Sequence, residues 1–350
     1  MKKIFAPVFA FVLLLAGCAS DYEVLQSYDS VILTADSSNK LAGQTITFTV
    51  KDNNGTDHTA DAHFFVDGEE ISTNTLTSDK LQSYEVKATY GSLDSEPLTV
   101  TFGDGSELNY RKRLLIEDYT GTWCGYCTRV AWAIELVRAQ SDNVVPVAIH
   151  RPSSNPTSAN YDPYNYDASV LENTLSAVGY PKGYLNRRTR WSNPEPNNVA
   201  QAIALTQGEN PKLGLALNPV VKDGNITIDV SAQFSRDFTG LKLVVYVLEN
   251  GLIYEQHNYT DFYNGVDVIE DWQHNHVLRA CLTDIMGDAI SSDQTAIYKT
   301  FTRSFNTAIP ANVANSANLE FVAFIVGENG RVINVRSAHA GDTQEFEILQ

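Results

Sequence analysis

Two cysteines three positions apart, Cys124 and Cys127, are the residues of this chain best equipped for chemistry. An apolar strand runs up to them and a periodic helix follows. At a helix start the first thiol sits beside unpaired backbone N–H groups, whose dipoles favour the thiolate. In such motifs the thiol pKa falls from about 8.5 into a range of roughly 3.5–7.5. A thiolate attacks a disulfide sulfur, and a second thiol nearby resolves the mixed disulfide. Cys124 is therefore the candidate nucleophile and Cys127 the candidate resolving thiol. Half a zinc site has the same spacing, but no second Cys-x-x-Cys or Cys/His pair stands nearby.

The neighbours extend the pattern. Asp118 stands six residues before Cys124, and Trp123 abuts it. Further on, Gly179-Tyr180-Pro181 follows a helical run, Ala168 to Val178, and precedes a strand, Gly183 to Arg187. The segment Asp118-Tyr119-Thr120-Gly121-Thr122-Trp123-Cys124-Gly125-Tyr126-Cys127 resembles the thioredoxin active site. That resemblance implies a redox disulfide between Cys124 and Cys127. It implies a buried Asp118 carboxyl that relays the proton of the resolving thiol, as a raised pKa would allow. It makes Pro181 a cis-proline facing the dithiol. Tyr180 would then offer backbone groups to an extended substrate strand, with Trp123 beside it. The alternative for Asp118 is a solvent-facing residue capping the turn, and Glu117 points to the other face. Gly125-Tyr126 between the cysteines resembles periplasmic disulfide isomerases more than reductive thioredoxins.

These groups need a frame. Arg113 to Tyr119 reads as a strand, and Val130, Ala133, Ile134 and Val137 share one helical face. Val144 to Ile149 reads as a second strand, so the β-α-β order implies parallel pairing. Pro146 inside that second strand predicts an edge position. The frame expected for residues 107–210 is an α/β thioredoxin-like domain with a minimal β-α-β plus β-β-α core. Two β-sandwich, immunoglobulin-like domains flank it, at 19–104 and 211–350. The first is read from β-branched and aromatic runs such as Thr45 to Val50 and His63 to Val66, with a hairpin signal at Asp67-Gly68. The second is read from runs including Leu213 to Leu217, Ile226 to Phe234, Leu241 to Leu248 and Leu319 to Val326.

Ile116 to Gly121, together with His274-Asn275-His276-Val277-Leu278-Arg279, resembles the lipoprotein family related to the twenty-eight-kilodalton outer-membrane protein. The resemblance implies architecture and an outer-membrane location.

The N-terminus carries an address. Lys2 and Lys3 precede an apolar stretch, Ile4 to Leu15, too short to span a bilayer. Leu15-Ala16-Gly17-Cys18 resembles a bacterial lipobox, which implies cleavage before Cys18 and its acylation, an anchor of several chains. Residues 1–18 are thus expected to be a lipoprotein signal, and the protein to sit in the cell envelope. The formal charge of −17 repels nucleic acid, which is excluded as a partner. The expected partners are thiols or disulfides of exported proteins, with no cofactor and no metal.

Other residues carry weaker signals. His150 ends the second strand, on the dithiol side. Tyr161, Asp162, Tyr164, Tyr166 and Asp167 lie in a loop that either lips the site or merely covers surface. His274 and His276, two apart, would share a face in one strand. Cys281 reads as a buried, inert thiol. The rival to a redox enzyme is a surface lipoprotein that uses its domains for binding or structure.

Overall fold

The computed structural model describes residues 29–176 and 178–349, so the leader and Cys18 lie outside the described residues. Contacts divide the chain into two units.

One unit contains the described residues up to Thr34, Phe48–Asn74 and Glu85–Leu98. It is all β. His63–Val66 pairs antiparallel with Glu69–Ile71, and on its other side with Val86 to Thr89. Asp67 and Gly68 turn the first hairpin with φ of 50° and 87°, the left-handed pair that a tight two-residue turn requires. Phe48, Phe64, Val86 and Ala88 are buried in it.

The other unit contains Ala35–Thr47, Thr75–Tyr84 and the chain from Thr99 onward. Its main element is a nine-stranded sheet. Leu114–Thr120 and Val144–His150 lie side by side in parallel, from Leu114↔Val144 to Thr120↔His150. Helix α1, Thr128–Arg138, connects them. Lys182–Leu185 pairs antiparallel on the other side of Leu114–Thr120. It lies between helices α2, Ser169–Thr174, and α3, Val199–Thr206. Alternation along Leu114–Thr120 decides what each face meets. Leu114 and Ile116 pack with Val130, Ala133 and Val137 of α1 and with Ala202 of α3. Leu115 and Tyr119 join a second core with Val147, Tyr246 and Phe324.

Two expectations are corrected here. Val144–His150 is not an edge, because Val277–Cys281 joins it in parallel at Ala148↔Val277. That contact starts two residues beyond Pro146, with Ala148 N donating to His276 O at 2.8 Å. Proline has no N–H to give, and the ladder simply begins after it. The boundary expected between residues 210 and 211 is also crossed by the sheet, which continues through Lys242–Glu249, Leu319–Val326 and Val332–His339. A three-stranded antiparallel sheet, Leu213–Lys222, Asn225–Phe234 and Thr300–Ala308, covers this extension. Ile228 and Val230 pack there against Leu243, Val245 and Phe321. The C-terminal half is thus a sandwich that shares one sheet with the dithiol strand.

One element has no counterpart in the sequence reading. Leu252–His257 and Val268–His274 form an antiparallel hairpin arm. Its loop carries three successive left-handed residues, Tyr263, Asn264 and Gly265. No helix among the described residues is long and apolar enough to cross a membrane.

Candidate functional site around Cys124 and Cys127

After Thr120 the chain turns sharply into α1, and the cysteines occupy that turn. Cys124 and Cys127 are joined by a disulfide. Cys127 takes the N-cap position of α1, so Cys124 lies in the turn before the helix. Cys127 N donates to Cys124 O, and Val130 N to Cys127 O, each at 3.0 Å. Both cysteines are buried, Cys124 at 5% exposure and Cys127 at 1%. Gly121 is required by close packing: a Cβ there would stand 2.6 Å from Arg151 O and 2.5 Å from Trp123 Nε1.

Asp118 is buried at 5% exposure, on the α1 side of its strand. Its Oδ1 has no hydrogen-bond partner among the described residues. Burial, reinforced by the charge of Glu195, raises its pKa well above the ordinary carboxylate value, against the opposing pull of Arg129. Arg129 and Glu195 form an ion pair at 2.6 Å. Asp118 is thus buried and is not the solvent-facing turn cap that was the alternative. Glu117 faces the other way and holds Arg187 at 3.0 Å.

The Tyr180–Pro181 peptide is cis. The strand that follows pairs Lys182 with Tyr119, so Pro181 enters the sheet near the end of the dithiol strand. The Trp123 and Tyr180 rings meet edge to face at 5.7 Å. Tyr180 is fixed in turn by its hydroxyl, which donates to Glu172 at 2.7 Å. Lys182 Nζ donates to the same carboxylate at 2.8 Å, and Arg151 Nε donates to its other oxygen at 2.9 Å. Trp123 Nε1 donates to Arg151 O at 2.6 Å.

The loop after Val144–His150 does reach the site. Asp162 accepts from Thr122 N at 2.8 Å and contacts His150 Nδ1 at 2.9 Å. Burial pushes the Asp162 pKa up, but His150 and the N–H groups of Thr122 and Tyr164 together hold it below the usual range. His274 and His276 do not share a strand. His276 sits in the turn with φ of 57° and meets Glu320 at 2.8 Å. His274 packs on His150 with ring centres 5.1 Å apart. Burial, and then the neighbouring His150, lower its pKa to about 3. Cys281 is a free cysteine, and burial raises its thiol pKa. Among the described residues no group of three His, Cys, Asp or Glu side chains is arranged for a metal.

The arm completes the site. His257 N donates to Thr122 O at 2.9 Å, and Tyr259 N to Gly125 O at 2.7 Å. Gln256 Nε2 lies 3.2 Å from both Gly121 O and Cys124 O. Thr128 Oγ1 donates to Asn258 Oδ1 at 2.8 Å. Trp132 of α1 stacks on Phe262 at 5.6 Å. Nothing in the spacing of residues 252–274 announces this, because the partners lie some 130 residues earlier. Behind the disulfide is a cavity of about 130 Å³, lined by Asp118, Cys127, Glu135, His150, Gln256 and His274 among others.

A β-rich protein of several sheets, with one cysteine pair at a helix start, is the class these features define. The chain belongs to the family described as outer membrane protein Omp28, whose model matches residues 168–344. It is accordingly an outer-membrane or cell-envelope protein. The matched stretch includes the arm and begins after the dithiol. Among solved structures, HBP35 of Porphyromonas gingivalis is similar over 67% of this chain and 77% of its own, with 20% identity and a TM-score of 0.51. At that identity the likeness concerns the fold. A β-glucosidase from Kluyveromyces marxianus, at 12% identity, covers 82% of this chain and 42% of its own with a TM-score of 0.17, which carries no argument. No curated protein matches the chain.

Proposed function

We propose that this is a lipid-anchored envelope protein with a thioredoxin-like module, exchanging disulfides with exported proteins through Cys124 and Cys127. The observation that carries the reading is a disulfide at the start of α1 with the Asp118 carboxyl, its pKa raised by burial, lining the same cavity as Cys127. The β-α-β order and the antiparallel Lys182–Leu185 strand support the module.

In the reaction a partner thiolate attacks Cys124 Sγ. The Cys124–Cys127 bond breaks, and its electron pair leaves on Cys127 Sγ. Asp118 supplies the proton that the departing thiolate takes up. A second partner thiolate then attacks the partner sulfur of the mixed disulfide and frees Cys124 as a thiolate. The partner dithiol is oxidised by two electrons and the protein is reduced by two. The reverse sequence oxidises the protein, and the potentials of the couples set the direction. Trp123 and Tyr180, held by Arg151 and Glu172, form the rim on which a partner chain lies. Cys18 supplies the anchor.

A second reading has its own support. Both cysteines are buried under the arm, and the family match starts at residue 168. In that reading the disulfide is a structural pin in a binding lipoprotein. Titration of the full mature chain in glutathione buffers, scored by alkylation gel-shift, separates the two. A reversible two-electron transition of Cys124 and Cys127 supports the redox reading. A pair that stays oxidised in every glutathione buffer, while the protein is folded, supports the pin.

A further inference from the structure

The arm touches the redox turn in a particular way. His257 and Tyr259, two residues apart, each donate a backbone N–H to a carbonyl of the turn, at Thr122 and Gly125. Donation from alternate residues is how an extended strand binds an exposed backbone edge. Gly125 has no side chain, and the Tyr259 ring fills the space above it. A Cβ on Gly125 would lie 2.3 Å from that ring. Tyr126 packs edge to face on Tyr259 at 5.6 Å. The arm thus fills a backbone edge and an aromatic subsite on the turn that carries the disulfide, where Cys124 is 5% exposed.

The contacts are also of a kind that can be exchanged. Tyr259 is 59% exposed and Tyr126 55%, so the aromatic contact is rim, while Gln256 and Asn258 of the same segment are buried and hold it through side-chain hydrogen bonds. The loop that follows holds two non-glycine residues, Tyr263 and Asn264, in left-handed conformation. Nothing covalent ties the 256–260 segment to the turn it covers.

We propose that Gln256 to Thr260 is a built-in stand-in for the partner of the dithiol. It marks an interaction surface made by the carbonyls of Thr122 and Gly125 with the Tyr126 ring. The partner this surface fits is an extended polypeptide segment bearing an aromatic side chain, which must displace the arm to reach Cys124. The inference rests on the redox reading above and adds to it the class of partner and the order of events. In the displacement the peptide takes the two N–H donations. Its cysteine thiolate then attacks Cys124 Sγ, and the electron pair of the broken bond leaves on Cys127.

The test uses the oxidised full mature chain and two reductants. One is dithiothreitol. The other is a short synthetic peptide with one cysteine and one tyrosine, compared with the same peptide carrying alanine for tyrosine. Rates of reduction are measured for wild type, Tyr259→Gly and Asn258→Ala, with near-ultraviolet circular dichroism as the check on folding. The expected result is that both variants raise the peptide rate relative to the dithiothreitol rate, by about tenfold for Tyr259→Gly, the scale of one aromatic contact. The tyrosine peptide should outrun the alanine peptide. The proposal is overturned if both variants keep the wild-type ratio while dithiothreitol reduces them all. If dithiothreitol reduces none of the folded proteins, the redox reading falls, and this proposal falls with it.

Discussion

The Tyr259 N–H donates to Gly125 O at 2.7 Å, and its ring stands where a Gly125 side chain would be. Two residues 134 positions apart in the chain therefore form one wall of the dithiol site. Gly125→Ala puts a methyl into that ring. Overpacking of this kind costs about 1–3 kcal/mol. Urea unfolding should show the loss, and amide exchange should quicken at His257 and Tyr259. Unchanged stability together with unchanged exchange would mean that the contact carries no weight.

Asp118 gives a pH signature. Its folded pKa is raised well above 3.8 by burial. Above that value the unfolded chain releases a proton that the folded protein keeps, so the group lowers stability as pH rises. Asp118→Asn removes this dependence. Unfolding free energies of the two proteins should agree below about pH 4 and separate above it, with the variant more stable. Parallel curves across the whole range would contradict a protonated Asp118.

His274 acts with the opposite sign. Its folded pKa is lowered to about 3 from 6.5, with His150 and Asp162 facing it. Between those values the unfolded chain binds a proton that the folded protein does not, so stability falls as pH drops. The slope contributed reaches about 1.4 kcal/mol per pH unit. His274→Gln should flatten the stability profile between pH 6.5 and the acid limit. A profile as steep as that of wild type would show that His274 is charged in the folded state.

On the other face of the dithiol strand, Glu117 accepts from Arg187 and from the Tyr246 hydroxyl at 3.2 Å. Glu117 is fully buried and Arg187 nearly so. Glu117→Ala leaves the guanidinium uncompensated, at a cost of about 3–5 kcal/mol. Chemical denaturation measures it. A loss below the size of an exposed ion pair, about 1 kcal/mol, would refute the assignment.

The local frame of the site was legible because it is written in short-range patterns. Val130, Ala133 and Val137 mark the helix face, and Leu114 to Tyr119 mark the strand before it. Asp67-Gly68 names its hairpin by the conformation those residues tolerate. Long-range partners were not legible. Leu252–His257 and Val268–His274 are rich in Glu, Asp and Gln and lack a clean alternation, because much of the arm faces solvent. Pro146 suggested an edge because a missing N–H reads the same whether the neighbour is absent or starts two residues later. Asp162 gave only a loop signal. Its value comes from Thr122, forty residues away.

The central claim is that Cys124 and Cys127 exchange disulfides with a partner, and trapping tests it most directly. Full-length Cys127→Ser and Cys124→Ser proteins are incubated with oxidised peptide or envelope extract, quenched with acid and alkylated. Mixed disulfides are then read on non-reducing gels. The account predicts a mixed disulfide through Cys124 in the Cys127→Ser protein, and much less in Cys124→Ser. Equal, background-level trapping in both, with Cys124 no more reactive than a free thiol, would contradict it.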